Sequence, residues 1–224
     1  MSYVIGKRHP DSFGWRFFFF GGGVKVARIL VIDNYDSFTH NLVQMFMHYD
    51  LEINVFRSDK ISIAQMAFLE PDYILISPGP KDPANAGISI SVVKAFAGKI
   101  PIMGVCLGMQ CINEAMGGKT VKSPVPVHGK TSRVYHSNAS IFKGVPSPFT
   151  AARYHSLKVK ITSPDVAVTA KTADGVVMGI QHKKQFVSGV QFHPESFMTD
   201  CGFLLIENFL RQGPLKRLQN RAAA

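Results

Sequence analysis

The sequence predicts an α/β fold: an open, mostly parallel sheet flanked by helices, with a β-rich C-terminal half. Short apolar runs recur through the first half, the mark of strands buried on both faces. Segments with helical spacing separate these runs, so successive strands run parallel. After Gly117-Gly118 the helical spacing stops and short β-rich stretches follow.

The elements read in order from Arg28. Ile29-Leu30-Val31-Ile32 is the first buried strand, followed by the polar turn Asp33-Asn34-Tyr35-Asp36-Ser37. Ser37 is expected to cap a helix whose apolar positions Phe38, Leu42, Met45, Phe46 and Tyr49 recur at helical spacing. Ile53 to Phe56 is a second strand, and Ser62 is placed to cap a short helix through Leu69. Tyr73-Ile74-Leu75-Ile76 is a third strand, ending in Ser77-Pro78-Gly79-Pro80. Ile88 to Ala97 is a helix, Pro101 to Val105 a fourth strand, and Leu107 to Met116 a helix. The β-rich stretches are Val125–Val127, Phe149–Val159, Val166–Ala170, Val176–Ile180 and Phe186–Phe192, with a hairpin turn at Ala173-Asp174-Gly175. An amphipathic helix, Gly202 to Arg211, closes the domain. In parallel sheets ligands bind outside the carboxyl ends of the strands. The Asp33 turn, the Pro-Gly-Pro turn and the turn at Cys106 all fall at that edge.

A chain of 224 residues suits one substantial domain, and 46% hydrophobic with 18% charged residues excludes wholesale disorder. No apolar run approaches the ~18 residues of a membrane span. Cys106, Cys111 and Cys201 form no Cys-x-x-Cys pair and leave an odd one over, so a reducing cytoplasm is expected. No Cys, His and carboxylate spacing suggests a metal site. The net charge of +10 is concentrated at the ends: +3 in residues 1–26 and +4 in residues 211–224, leaving +3 for the body. A body so near neutral does not call for a polyanion, and no nucleic-acid partner is expected. Residues 1–26, with Phe17 to Phe20 running into three glycines, follow no period and are expected to be a disordered extension or sequence upstream of the true start. The expected domain is 27–212, and 213–224 a basic tail.

Gly104-Val105-Cys106-Leu107-Gly108 carries the chemistry. A nucleophile-capable residue stands between a buried strand and a helix, with glycines two positions either side. Such an elbow is tight, and glycines let neighbouring backbone pass without Cβ clashes. The thiol then stands at a helix N-terminus, whose positive end favours thiolate. The next amide, at Leu107, points where an oxyanion would form. A buried cysteine is otherwise usually a packing residue, the reading given to Cys111 and Cys201. His193 supplies a base: it follows the strand Gly189-Val190-Gln191-Phe192, and Pro194 biases it to extended geometry. In an extended segment residues i and i+2 face the same way, so Glu195 reaches one imidazole nitrogen while the other faces the thiol.

These motifs resemble the class I, triad-type glutamine amidotransferases, whose fold is flavodoxin-like. Ser77-Pro78-Gly79-Pro80, Gly104-Val105-Cys106-Leu107-Gly108-Met109-Gln110 and Gln191-Phe192-His193-Pro194-Glu195-Ser196 occur in that family's order and spacing, and the resemblance spans residues 28–212. Three further segments resemble the chorismate-using branch, the glutaminase subunits of anthranilate and aminodeoxychorismate synthases: Val31 to Thr39, His128-Gly129-Lys130-Thr131-Ser132 and Arg153-Tyr154-His155-Ser156-Leu157. The resemblance implies catalysis by Cys106, His193 and Glu195, and an oxyanion hole from the Leu107 and Gly79 amides. It also implies glutamine contacts from Gly79, Pro80 and Lys81 through their backbone, and a pocket lined by Gln110, Ser156 and Leu157. The partner it implies is a chorismate-binding synthase subunit, with Asn34–Ser37 and His128–Lys130 near the interface. No cofactor is expected in this chain; Mg2+ belongs to the partner.

Met109 stands where a histidine is common in the family, and Lys81 where a small residue or cysteine is common. Neither departure touches the triad. A stand-alone γ-glutamyl hydrolase with the same triad is the alternative reading. A basic nucleic-acid-binding protein and an inactive regulatory subunit fit the charge distribution and the intact triad less well.

Overall fold

The computed structural model describes residues 3–5 and 26–215, with the backbone path alone for residues 3–5 and 124–128. The Phe/Gly stretch of the N-terminal extension and the tail from residue 216 lie outside the described residues.

Among the described residues ten strands form one sheet. In chain order they are β1 (Tyr3–Ile5), β2 (Ala27–Asp33), β3 (Leu51–Arg57), β4 (Tyr73–Ile76), β5 (Ile102–Val105), β6 (Lys119–His136), β7 (Phe149–Lys160), β8 (Val166–Thr172), β9 (Val177–His182) and β10 (Val187–Val190). The helices are α1 (Thr39–Phe46), α2 (Ile63–Phe68), α3 (Ser89–Phe96), α4 (Leu107–Ala115) and α5 (Gly202–Leu210). The spatial order is β1-β3-β2-β4-β5-β10-β9-β8-β6-β7. From β3 to β10 all neighbours are parallel, in the doubly wound order of a flavodoxin-like sheet. From β10 to β7 all are antiparallel. The β-rich half therefore continues the parallel sheet and makes it mixed. Tyr3–Ile5 pairs antiparallel with Ile53–Val55 at the outer edge, so three residues of the N-terminal extension join the sheet.

The central stretches of the parallel strands, Ile29–Ile32, Tyr73–Ile76 and Ile102–Val105, are apolar because both faces are covered. In β2, Ile29 and Val31 turn to one face, where Leu42 and Phe46 of α1 and Leu205 and Phe209 of α5 pack. Leu30 and Ile32 turn to the other, against Met66, Val92 and Ile112 of α2, α3 and α4. Fully burying such side chains contributes roughly 1.5–3 kcal/mol each.

The expected elements between residues 53 and 116 recur within a few residues. Ser62 Oγ accepts from the Gln65 backbone N–H, and the Ser62 N–H donates in return to Gln65 Oε1, a complete capping box on α2. Two local expectations are corrected. Ser37 does not cap α1, which has no side-chain cap at its N-terminus. The carboxylates instead order the turn before the helix: Asp36 accepts from Phe38 N–H at 2.7 Å, and Asp33 accepts from Tyr35 N–H and Thr39 Oγ1 at 2.9 and 3.0 Å. The strand expected at Val125–Val127 belongs to the 18-residue β6, which runs through Pro124, Pro126 and Gly129 by shifting register against β7 between Lys122 and Val127 and again between His128 and Lys130.

Candidate active site

The elbow is built by close approach of backbones. Cys106 is the N-cap residue of α4, at φ 53° and ψ −103°, a strained conformation for a residue with a Cβ. A Cβ on Gly104 would collide with the Gly108 carbonyl, and one on Gly108 with the Ile76 carbonyl of β4. Both glycines are thus required by space. The Cys106 amide donates to Val190 O at 2.7 Å, which ties the elbow to the end of β10.

That bond brings β10's continuation beside the thiol. The strand ends at Val190, two residues short of its expected end, and Gln191 and Phe192 bend away from it. His193 to Ser196 is a turn closed by Ser196 N–H to His193 O at 3.2 Å. Pro194 favours that turn rather than extended geometry, because its fixed φ suits the second turn position. His193 and Glu195 still meet: Nδ1 and Oε1 lie 2.5 Å apart with both side chains buried. His193 Nε2 has no hydrogen-bond partner among the described residues. Burial pushes the ring's pKa down, but the Cys106 thiol and the Glu195 carboxylate outweigh it and raise it from 6.5 to about 10.

A cavity of about 180 Å³ opens on the thiol. Gly79, Pro80, Lys81, Leu107, Gln110, Ser156 and Leu157, the residues expected around a substrate, all line it together with Cys106. Leu107 is the first residue of α4, so its N–H has no carbonyl partner within the helix. Gly79 follows β4 at the switch of strand order. A Cβ there would lie 2.6 Å from Asn34 Cβ and 2.7 Å from Leu107 Cδ2. Lys81 holds its backbone at φ 65° with its side chain exposed.

Several neighbours had no role at the thiol assigned to them from the sequence. Gln191 is buried; its Nε2 donates toward Cys106 Sγ at 3.6 Å, and its Oε1 accepts from Gln110 Nε2 at 3.2 Å. Phe38 and Tyr154 stand edge-on to His193, with ring centroids 5.7 and 5.1 Å away. Asn34 stitches the first turn to the Pro-Gly-Pro turn: its N–H donates to Ser77 Oγ at 2.9 Å and its Nδ2 to Ser77 O at 3.1 Å, while Oδ1 accepts from Ser89. His155 also lines the cavity. Burial pushes its pKa down to about 4, so the ring is neutral, with Nδ1–H donating to Leu157 O at 2.8 Å. All of these residues lie within or beside the motifs, yet nothing in those motifs tells which side chains turn toward the thiol. Of His128, only the backbone is described. Cys111 and Cys201 are free thiols and do not line this cavity.

Fold and geometry define a class: an α/β protein with a cysteine elbow facing a histidine–carboxylate pair. The family profile "Glutamine amidotransferase class-I" matches residues 30–212. This chain belongs to the class-I glutamine amidotransferase family. Among its relatives, it is 50% identical over 191 residues to an anthranilate synthase component 2 from Pseudomonas aeruginosa, covering 82% of this chain and 95% of that one. It is 50% identical over 184 residues to an aminodeoxychorismate/anthranilate synthase component 2 from Bacillus subtilis, covering 81% and 95%. It is 51% identical over 193 residues to the bifunctional protein TrpGD of Thermotoga maritima, covering 84% of this chain but only 33% of that longer one. The solved structure of a putative GMP synthase protein from Thermoplasma acidophilum superposes with a TM-score of 0.75 at 25% identity, over 84% of this chain and 94% of that one.

Proposed function

We propose that this chain is the glutamine-hydrolysing subunit of a synthase that aminates chorismate, making anthranilate, 4-amino-4-deoxychorismate or both. The observation that carries this reading is the placement of Cys106, the buried His193–Glu195 pair and a small cavity within one site. A cavity of about 180 Å³ lies below the roughly 300–1,000 Å³ of drug-sized sites and suits a single amino acid. The names of the component 2 relatives support the choice of branch.

In this reading Gly79, Pro80 and Lys81 hold glutamine through their backbone, and Gln110, Ser156 and Leu157 wall its pocket. Cys106 passes its proton to His193 Nε2, and the sulfur attacks the side-chain amide carbon. The tetrahedral oxyanion takes hydrogen bonds from the Leu107 and Gly79 amides. His193 then gives the proton to the departing nitrogen, ammonia leaves, and a γ-glutamyl thioester remains. Water, deprotonated by His193, attacks the thioester; glutamate leaves and the thiol is restored. Glu195 orients the ring and stabilises its cationic form throughout. The ammonia passes to chorismate on the partner subunit. The chain itself uses no metal in this scheme; Mg2+ serves the partner.

The test mixes the purified chain with each candidate chorismate-binding subunit, chorismate and glutamine, with ammonium as control. Anthranilate, aminodeoxychorismate or both should form from glutamine. If neither forms while ammonium still supports amination, the partner assignment is wrong and a stand-alone γ-glutamyl hydrolase takes its place.

A further inference from the structure

A second cavity, of about 400 Å³, lies in the antiparallel half. β6 pairs with β8 only through Val134–His136, while its N-terminal arm pairs with β7. The β6–β7 ribbon and the β8–β9 hairpin line the cleft between them. Its charged lining is Arg153, Lys158 and Lys160 of β7 and Asp174 of the hairpin turn. Three cations thus face one carboxylate.

Arg153 sits at the centre of this imbalance. It is 4% exposed, yet among the described residues no carboxylate lies within ion-pair distance. Its described bonds go to neutral acceptors: Nε to His155 Nε2 and Nη1 to Ser132 Oγ, both at 3.1 Å. Burial pushes the guanidinium's pKa down, and Asp174 opposes this only from a distance. A buried cation normally has an anionic partner, because desolvation is otherwise uncompensated. A guanidinium opening on a cavity, with two lysines at its sides, suits a planar or tetrahedral oxyanion held by several donors.

We propose that this cavity is a second ligand site, for a small dianion carrying a phosphate or two carboxylates. Arg153 forms its base, and Lys158 and Lys160 supply the second positive charge. The site is wired to the candidate active site. Arg153 donates to His155 Nε2, and His155 Nδ1–H donates to Leu157 O, while His155 and Leu157 both line the thiol-facing cavity. A dianion on Arg153 competes for the same guanidinium, so its occupancy changes how His155 and Leu157 are held. This linkage rests on the reading of the thiol-facing cavity as the glutamine pocket; the dianion site does not.

The test is calorimetric titration of the full chain with inorganic phosphate and, separately, with succinate, at ionic strength held constant with chloride and without glutamine. Saturable one-site binding of at least one probe is expected, with Kd rising about tenfold in Lys158→Gln and in Lys160→Gln, as for loss of one charge-assisted contact. Both lysines reach solvent, so their variants should fold; Arg153→Gln should abolish binding where its melting curve shows it folded. No saturable heat with either probe, or binding indifferent to both lysine substitutions, overturns the site. Glutamine Kd, measured in Cys106→Ala with and without the bound probe, then reads the linkage: the glutamine Kd and the probe's Kd should shift by the same factor. An unchanged glutamine Kd beside clear probe binding overturns the linkage alone, and absent glutamine turnover by the unsubstituted chain with clear probe binding separates failure of the glutaminase reading from failure of the site.

Discussion

His193, at the end of the parallel half of the sheet, and His155, in the antiparallel half, are both buried. Their basicities are nevertheless displaced in opposite directions, to about 10 and to about 4. Burial lowers both, so burial does not explain the difference. His193 faces a thiol and a carboxylate, which reward its positive charge. His155 faces a guanidinium and shares its surroundings with His193, and both penalise a second charge. The parallel half therefore sets up a group that accepts protons, and the antiparallel half provides a neutral polar wall beside it. In the proposed reading the parallel half carries the reacting groups and part of the glutamine pocket, and β7 of the antiparallel half adds Ser156 and Leu157 to it.

The comparison breaks most sharply at the thiol. Cys106→Ala should lower glutamine hydrolysis on the order of 10⁶-fold, as when a member of an acting unit is removed, while amination from ammonium with the partner persists. Glutamate release at an undiminished rate would remove the elbow from the mechanism. Glu195→Gln should cost on the order of 10⁴-fold in kcat and bring the His193 pKa down, measurable by NMR titration. The sign for stability follows. With the folded pKa raised above 6.5, the pair's contribution is complete below about pH 6.5 and is lost as pH rises toward 10. In Glu195→Gln that alkaline loss should shrink, and an unaltered slope would show that the carboxylate does not hold the imidazolium.

Gly108→Ala puts a Cβ against the Ile76 carbonyl. It should destabilise by about 3 kcal/mol in urea unfolding and displace the elbow, because rigid backbone cannot yield as a side chain can. His155→Gln tests the other half. With its folded pKa depressed to about 4, His155 contributes stability that is present above pH 6.5 and lost as pH falls toward 4. The variant should recover on the order of 2 kcal/mol of that acid-side loss, read from melts between pH 7 and pH 4. An acid-side loss of the same size in the variant would place its origin elsewhere. The smallest effect belongs far from both halves' chemistry: Ser62→Ala should cost about 1 kcal/mol through the α2 capping box and leave glutamine KM unchanged.

How much was legible in the chain depended on how local the signal was. Tyr73–Ile76, the α2 capping box and the glycine-flanked elbow are each written within a few residues, and each appears where the pattern puts it. The flanking glycines could be read because a nucleophile elbow needs them whatever surrounds it. Ser37 misled because a hydroxyl before a helix is only a prior. Asp33 and Asp36, negatively charged acceptors just before it, organise the turn that leads into the helix, and no side chain caps the helix itself.

The sequence by itself determined the class of the fold, the strand edge where the thiol-facing cavity lies and the motifs that meet there, since period, turn chemistry and motif spacing are properties of short segments. Tertiary structure alone decided that the β-rich half extends the same sheet, that β6 runs 18 residues through two prolines and a bulge, and that Gln191 lies beside a thiol 85 positions away. It also decided that two buried histidines carry opposite protonation preferences. Register and electrostatic surroundings are set by which distant strands pair and which charges share a low-dielectric interior, and no window of neighbouring residues encodes either.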